Sequence, residues 1–84
     1  MNERDEFIVK EFKSRIAALK AISTTFDVDG ICFFGSSLAD QLTMIGDVMK
    51  LAALVGKEVY ESETREGKGY KAFEYDGIEV VRYD

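Results

Sequence analysis

An Asp-Gly pair near the end of the chain constrains the fold more than any other feature of the sequence. Residues 70–75 and 78–83 are rich in aromatic and β-branched side chains, and Asp76 and Gly77 alone separate them. Such a pair favours a type I′ β-hairpin, in which both loop residues have positive φ. Because the loop has a fixed length, the pairing register of the two strands is fixed as well.

This register sorts the hairpin residues onto two faces. One face pairs Tyr75 with Ile78, Phe73 with Val80 and Lys71 with Arg82, and the other pairs Glu74 with Glu79, Ala72 with Val81 and Tyr70 with Tyr83. We expect the face of Phe73 and Val80 to join the core and the face of Glu74 and Glu79 to meet solvent. Two glutamates directly opposite each other are mildly unfavourable, by a few tenths to about 1 kcal/mol.

Residues 3–25 predict an amphipathic N-terminal helix. Its apolar residues recur at three- and four-residue steps, which places them on one helix face. They are Ile8, Phe12, Ile16, Leu19 and Ile22. The β-branched and Asp/Gly-rich residues 23–30 are expected to end the helix and turn the chain.

Residues 31–34 predict a short apolar strand, which residues 35–37 are expected to break. The stretch that follows has two interpretations. A helix over residues 38–55 is one, with Ser37 and Asp40 as a capping box. It would carry Gly46 in its interior, at a cost of about 1 kcal/mol relative to alanine.

The preferred interpretation is a strand at residues 42–45 followed by a helix at residues 48–55. Asp47 is a suitable N-cap for this helix and Gly56 a suitable residue just past its end. The strand pairs with residues 31–34 as a hairpin, and residues 58–63 add a further strand.

The predicted fold class is therefore α+β, in a single domain over residues 1–84. Its order is α-β-β-α-β-β-β: an N-terminal amphipathic helix, a β-hairpin, a short helix and a three-stranded antiparallel β-meander. Hydrophobic residues make up 46% of the chain, which is enough for a small packed core.

Several classes of protein and site are disfavoured by residue type. The chain has no histidine, which removes Ser-His-Asp triads and the usual neutral-pH proton carrier. Residues 27–30 begin like a calcium loop but lack its later ligands, and residues 35–37 lack the lysine of a phosphate-binding loop. We expect no enzyme activity, no metal and no cofactor.

The only cysteine, Cys32, cannot form an internal disulfide, and we expect it to be a buried packing residue. The charged start of the chain does not resemble a signal peptide, and no apolar run approaches the ~20 residues of a membrane helix. These features predict a cytoplasmic protein without membrane association.

Charge is unevenly distributed along the chain. Residues 1–26 carry five basic and four acidic side chains, for +1, and residues 27–84 carry six and twelve, for −6, which gives the net −5. A negative body repels phosphate backbones, so direct nucleic-acid binding is disfavoured and a protein partner with a basic surface is favoured. The alternative is that the acids only keep the protein soluble.

All four tyrosines lie in the last 25 residues. Tyrosine is enriched at protein interfaces, although it is also a common strand residue. The predicted partner-binding residues are those of the outward face of the last hairpin, namely Tyr70, Glu74, Glu79 and Tyr83.

Three segments resemble small uncharacterised accessory proteins encoded by phages and prophages. They are LTMIGD at residues 42–47, LVGKEV at residues 54–59 and FEYDGIEV at residues 73–80. The resemblance covers about half of the chain and implies no catalytic residue. It implies a protein that acts by binding a host component.

Together these features predict a small acidic protein-binding module, in the manner of a phage or prophage inhibitor or modulator that docks on a basic site of a host protein. The alternative is a structural or regulatory subunit that works as a homodimer and has no inhibitory role.

Overall fold

In a computed structural model of the chain, residues 2–19, 24–36 and 41–83 are described. They form an α+β fold with two helices and one six-stranded mixed sheet. The elements in chain order are α1 (Glu3–Leu19), β1 (Thr24–Val28), β2 (Ile31–Ser36), β3 (Gln41–Ile45), α2 (Val48–Leu54), β4 (Tyr60–Glu63), β5 (Gly69–Tyr75) and β6 (Ile78–Tyr83).

The strands are ordered β1-β2-β3-β6-β5-β4 across the sheet. Neighbours pair antiparallel except for β3 and β6, which are parallel, with Leu42 beside Val80. The predicted meander is therefore only partly correct. Strands β4, β5 and β6 do pair in succession, but β6 also pairs with β3, so the three strands are half of a larger sheet.

The predicted element order is wrong at the end of the first helix, because a strand was missed. Helix α1 ends at Leu19 instead of residue 25, and β1 pairs with β2 through a turn at Asp29 and Gly30, whose φ values are 48° and 84°. As a strand, this segment buries Phe26 and Val28 in the core, and the Phe26 ring stacks on Phe33 at 4.8 Å. The predicted helical residues 20–23 lie outside the described residues.

The preferred interpretation of the middle of the chain is confirmed in outline, since β3 is a strand and pairs antiparallel with β2. Strand β2 does not break at Gly35 but continues to Ser36. Gly35 lies opposite Leu42, and a Cβ atom there would lie 2.7 Å from the carbonyl oxygen of Gln41. Close approach of the two strands thus requires the glycine. The possible capping box at residues 37–40 lies outside the described residues.

Both predicted caps of α2 are confirmed. The Asp47 carboxylate accepts a hydrogen bond of 3.0 Å from the backbone N–H of Lys50. Gly56 has a φ of 73°, and the N–H of Lys57 donates to the carbonyl of Ala52 at 2.8 Å, as in a Schellman motif. Asp47 therefore sets the start of this helix and Gly56 sets its end.

The last hairpin has the predicted turn and register. Asp76 and Gly77 have φ values of 51° and 81°, and all six predicted cross-strand pairs are present.

Both helices pack on one face of the sheet and share one hydrophobic core with it. Of the predicted α1 stripe, Ile8, Phe12 and Ile16 are buried, and the side chain of Leu19 lies outside the described ones. Phe12 is central, because its ring lies 5.5 Å from that of Phe33 and 5.2 Å from that of Tyr75. No helix of the described residues packs on the opposite face of the sheet.

Candidate functional site

We call the face of the sheet opposite α1 and α2 the helix-free face. Because side chains alternate along a strand, the pairing register places Tyr60, Ala72, Val81 and Thr43 in one row across it. Ala72 and Val81 are fully buried, although no described helix packs on this face. Larger side chains from neighbouring positions must therefore cover them.

Three tyrosines lie next to these two small residues. Tyr60 is the direct neighbour of Ala72, and Tyr70 and Tyr83 form the adjacent cross-strand pair, with ring centroids 5.7 Å apart. We call Tyr60, Tyr70 and Tyr83, with Ala72 and Val81 between them, the tyrosine patch. Tyr60 remains 42% exposed, and the other two rings are half-buried, so the patch offers aromatic surface to solvent.

Glu74 and Glu79 border the tyrosine patch and lie directly opposite each other, as predicted. Glu79 is half-buried and accepts two hydrogen bonds, one of 2.9 Å from Nε2 of Gln41 and one from the hydroxyl of Tyr60. These donors compensate for the like charge of Glu74. Glu74 is exposed. The two acids thus differ, since the Glu79 carboxylate is hydrogen-bonded to side chains of β3 and β4, whereas Glu74 faces solvent.

The environment of Tyr60 favours its neutral form. Desolvation of the hydroxyl, and then its hydrogen bond to Glu79, raise the pKa of Tyr60 far above the ordinary value of 10.0. Because the pKa of Tyr60 is higher in the folded state than in the unfolded state, the contribution of Tyr60 to folding stability is complete below about pH 10. It declines as pH rises past that value. The bond between Tyr60 and Glu79 is therefore intact throughout the neutral range.

The structure brings all four predicted partner-binding residues onto the helix-free face, with Tyr70 and Tyr83 in contact. Sequence reasoning missed Tyr60 and Gln41. Strand alternation over residues 60–63 could have indicated Tyr60, because it places Tyr60 on the same face as Ser62. Ser62 lies opposite Tyr70, so Tyr60 shares the face of Tyr70. No local signal existed for Gln41, which reaches Glu79 only through the parallel pairing of β3 and β6.

The other half of the helix-free face exposes two large apolar side chains. Phe34 on β2 and Ile45 on β3 are 37% and 55% exposed there. Cys32, expected to be buried, is instead half-exposed and donates to the Asp27 carboxylate at 2.8 Å. The prediction failed because Phe33, the next residue, takes the inward position, and alternation then turns Cys32 outward.

Within the described residues, no group of three or more acidic or cysteine side chains is placed to hold a metal ion, and neither helix is long and apolar enough to cross a membrane. No protein-family model, curated protein or solved structure matches the chain. Function is therefore inferred from the surface described above.

Proposed function

We propose that this chain is a small protein-binding module that docks through the tyrosine patch and Glu74 on a basic surface of another protein. The observation that carries the proposal is the composition of the helix-free face, where exposed aromatic surface lies directly beside an exposed carboxylate. Tyrosines supply contact area at low cost in conformational entropy, and the net charge of −5 attracts a basic partner.

The role of Glu79 in the proposal differs from that of Glu74. Since Glu79 accepts from both Gln41 and Tyr60, it positions Tyr60 at the border of the patch. Its charge reversal would disturb the sheet as well as binding. Glu74 is exposed, so its reversal changes the surface with little effect on folding.

The resemblance to phage-encoded proteins extends the proposal to a host protein as the target and to inhibition or modulation as the effect. The basic site on the target would be one that normally binds a polyanion or an acidic segment, since those ligands share the charge of this face. A docked module covers such a site and excludes its normal ligand.

The test compares capture of proteins from host lysate by the wild type and by Glu74→Lys, at low and at physiological salt. We expect Glu74→Lys to lose a captured protein and the loss to be larger at low salt, because electrostatic steering is screened by ions. Glu6→Lys is the matched control, since Glu6 is exposed on α1, which packs on the opposite face. Equal loss with both variants would contradict the proposal.

A homodimer is the second candidate, favoured by the exposure of Phe34 and Ile45 on the same face. Two such faces packed together would bury both residues of each copy. Light scattering at micromolar concentration, compared between the wild type and Ile45→Lys, tests it. A dimer that dissociates on this substitution supports it, and a monomeric wild type contradicts it.

A further inference from the structure

Strand β4 forms one edge of the sheet. It pairs with β5 on one side, and within the described parts of the chain no strand pairs with its other side. All four of its residues are exposed. Such an edge has a row of backbone N–H and C=O groups that can bond to an added strand.

The hydrogen-bonding pattern between β4 and β5 shows which backbone N–H and C=O groups of β4 face outward. The N–H of Thr64 donates to the carbonyl of Lys68 at 2.8 Å, so these two residues form a hydrogen-bonded pair. Bonded and non-bonded pairs alternate in an antiparallel ladder. Ser62 and Tyr60 are thus bonded to β5, and the backbone N–H and C=O groups of Glu61 and Glu63 point away from the sheet.

The side chains of the same two residues lie on the face of β4 opposite to Tyr60. Glu61 has Lys71 as its cross-strand neighbour, whereas Glu63 lies opposite Gly69, which has no side chain. The ammonium of Lys68 lies 5.9 Å from the ring centroid of Tyr83 and therefore on the helix-free face. Among the described residues of this edge, Glu63 is consequently the acid whose direct cross-strand partner carries no charge.

We propose that an extended basic segment of a partner protein binds to β4 as a seventh strand of the sheet. Its residues opposite Glu61 and Glu63 would be Lys or Arg, and the residue between them would lie beside Ser62 on the helix-free face, next to the tyrosine patch. The pattern recognised is basic–apolar–basic. The inference rests on the proposed function and specifies the partner segment and its mode of binding.

Charge complementarity selects this occupant over a second copy of the chain. If two copies paired antiparallel through β4, with Ser62 of one copy opposite Ser62 of the other, Glu61 of each copy would lie opposite Glu63 of the other copy. Like charges directly opposite destabilise a strand pair, and opposite charges stabilise it. The two glutamates thus protect the edge from self-association and leave it open to a basic strand.

The probe is a synthetic acetylated peptide of sequence RVRVRVR, with EVEVEVE as its acidic counterpart. In amide hydrogen exchange by NMR, we expect RVRVRVR to slow exchange of the Glu61 and Glu63 N–H groups, which point outward. The N–H groups of Tyr60 and Ser62 should change little, because β5 already accepts from them. EVEVEVE should have no effect.

Two substitutions at one position separate charge from backbone. Glu63→Gln removes the charge and keeps the N–H, and should weaken RVRVRVR binding by up to about fivefold. Glu63→Pro also removes the outward N–H, which β5 does not use, and should weaken binding by about tenfold or more. Glu66→Gln, in the exposed turn after β4, is the charge-matched control and should bind as the wild type does.

Other outcomes overturn the inference and are distinguishable from failure of the proposed function. Binding weakened by Glu74→Lys but not by Glu63→Pro would place docking on the helix-free face without strand addition. The same conclusion would follow if Glu74→Lys lost a captured protein while the wild type did not bind RVRVRVR. A wild-type dimer in light scattering that Glu63→Pro dissociates would assign the edge to a second copy. Absence of both peptide binding and Glu74-dependent capture would reject both proposals.

Discussion

At the scale of single residues, two carboxylates at distant positions of the helix-free face accept hydrogen bonds from different donors. Glu79 is held by Gln41 and Tyr60 within the sheet, whereas Asp27 on β1 accepts from the thiol of Cys32. The hydrogen bond to Asp27, then burial, and then the negative charge of Asp27 raise the pKa of Cys32. A raised pKa leaves less thiolate at neutral pH, so this half-exposed cysteine is a weak nucleophile.

This interaction predicts the reactivity of the thiol. Asp27→Asn removes the charge and the carboxylate acceptor, so the pKa of Cys32 should fall and its alkylation by iodoacetamide at pH 8 should become several-fold faster. The rate measured from pH 6 to pH 10 should show the midpoint at lower pH in the variant. Asp29→Asn, in the adjacent turn, is the control. An equal rate in wild type and Asp27→Asn would mean that Asp27 does not act on the thiol.

At the scale of elements, two hairpins of this sheet use the same loop. Asp29-Gly30 joins β1 to β2 and Asp76-Gly77 joins β5 to β6, each with positive φ at both positions. Only the second was predicted. The Asp29-Gly30 turn was missed because the helical spacing of apolar residues continues to Ile22. This spacing favoured the interpretation of residues 23–30 as the end of a helix. The dipeptide itself was the better signal, because type I′ geometry is a local property.

The two glycines should therefore respond alike to substitution. Nothing lies within 4 Å of a Cβ atom built at Gly30 or at Gly77, so the cost of a side chain comes from the backbone alone. Gly30→Val and Gly77→Val should each lower the free energy of unfolding by about 1–2 kcal/mol, because a β-branched residue resists positive φ. Urea denaturation measures this.

Asparagine tolerates positive φ, so the corresponding Asn variants should cost less than the Val variants and serve as controls. Equal stability of Gly30→Val and the wild type would mean that the first turn does not have this geometry in solution.

At the scale of the whole molecule, one aromatic side chain connects the helix layer to both halves of the sheet. Phe12 of α1 contacts Phe33 on β2 and also Phe73 and Tyr75 on β5, with ring centroids 5.2 to 6.3 Å apart. Strands β2 and β5 lie on opposite sides of the parallel β3–β6 pair. The core is therefore continuous across that junction, and its stability depends on α1.

Loss of this ring should affect the entire fold. Phe12→Ala should lower the free energy of unfolding by roughly 3–5 kcal/mol, a large fraction of the stability of so small a domain. Phe7→Ala on the same helix is the control, since Phe7 is 51% exposed and should cost less than about 0.5 kcal/mol. Thermal and urea unfolding compare the two, and similar losses would contradict the central place of Phe12.

The sequence alone determined the features that depend on neighbouring residues. The register of the last hairpin follows from a two-residue loop, the ends of α2 follow from Asp47 and Gly56, and the buried stripe of α1 follows from helical spacing. In each, the signal and the structure it specifies lie within a few residues of each other, so propensity and pattern suffice. The same reasoning placed Tyr70, Glu74, Glu79 and Tyr83 on one face.

Only the tertiary structure decided how the two halves of the sheet meet. The parallel pairing of β3 with β6 joins Gln41 to Glu79, 38 positions apart, and nothing near either residue specifies the other. Long-range pairing depends on which apolar faces can be buried together under the helices, a property of the whole core. For the same reason the position of β4 at the edge of the sheet, and the different surroundings of Glu74 and Glu79, became apparent only in the assembled sheet.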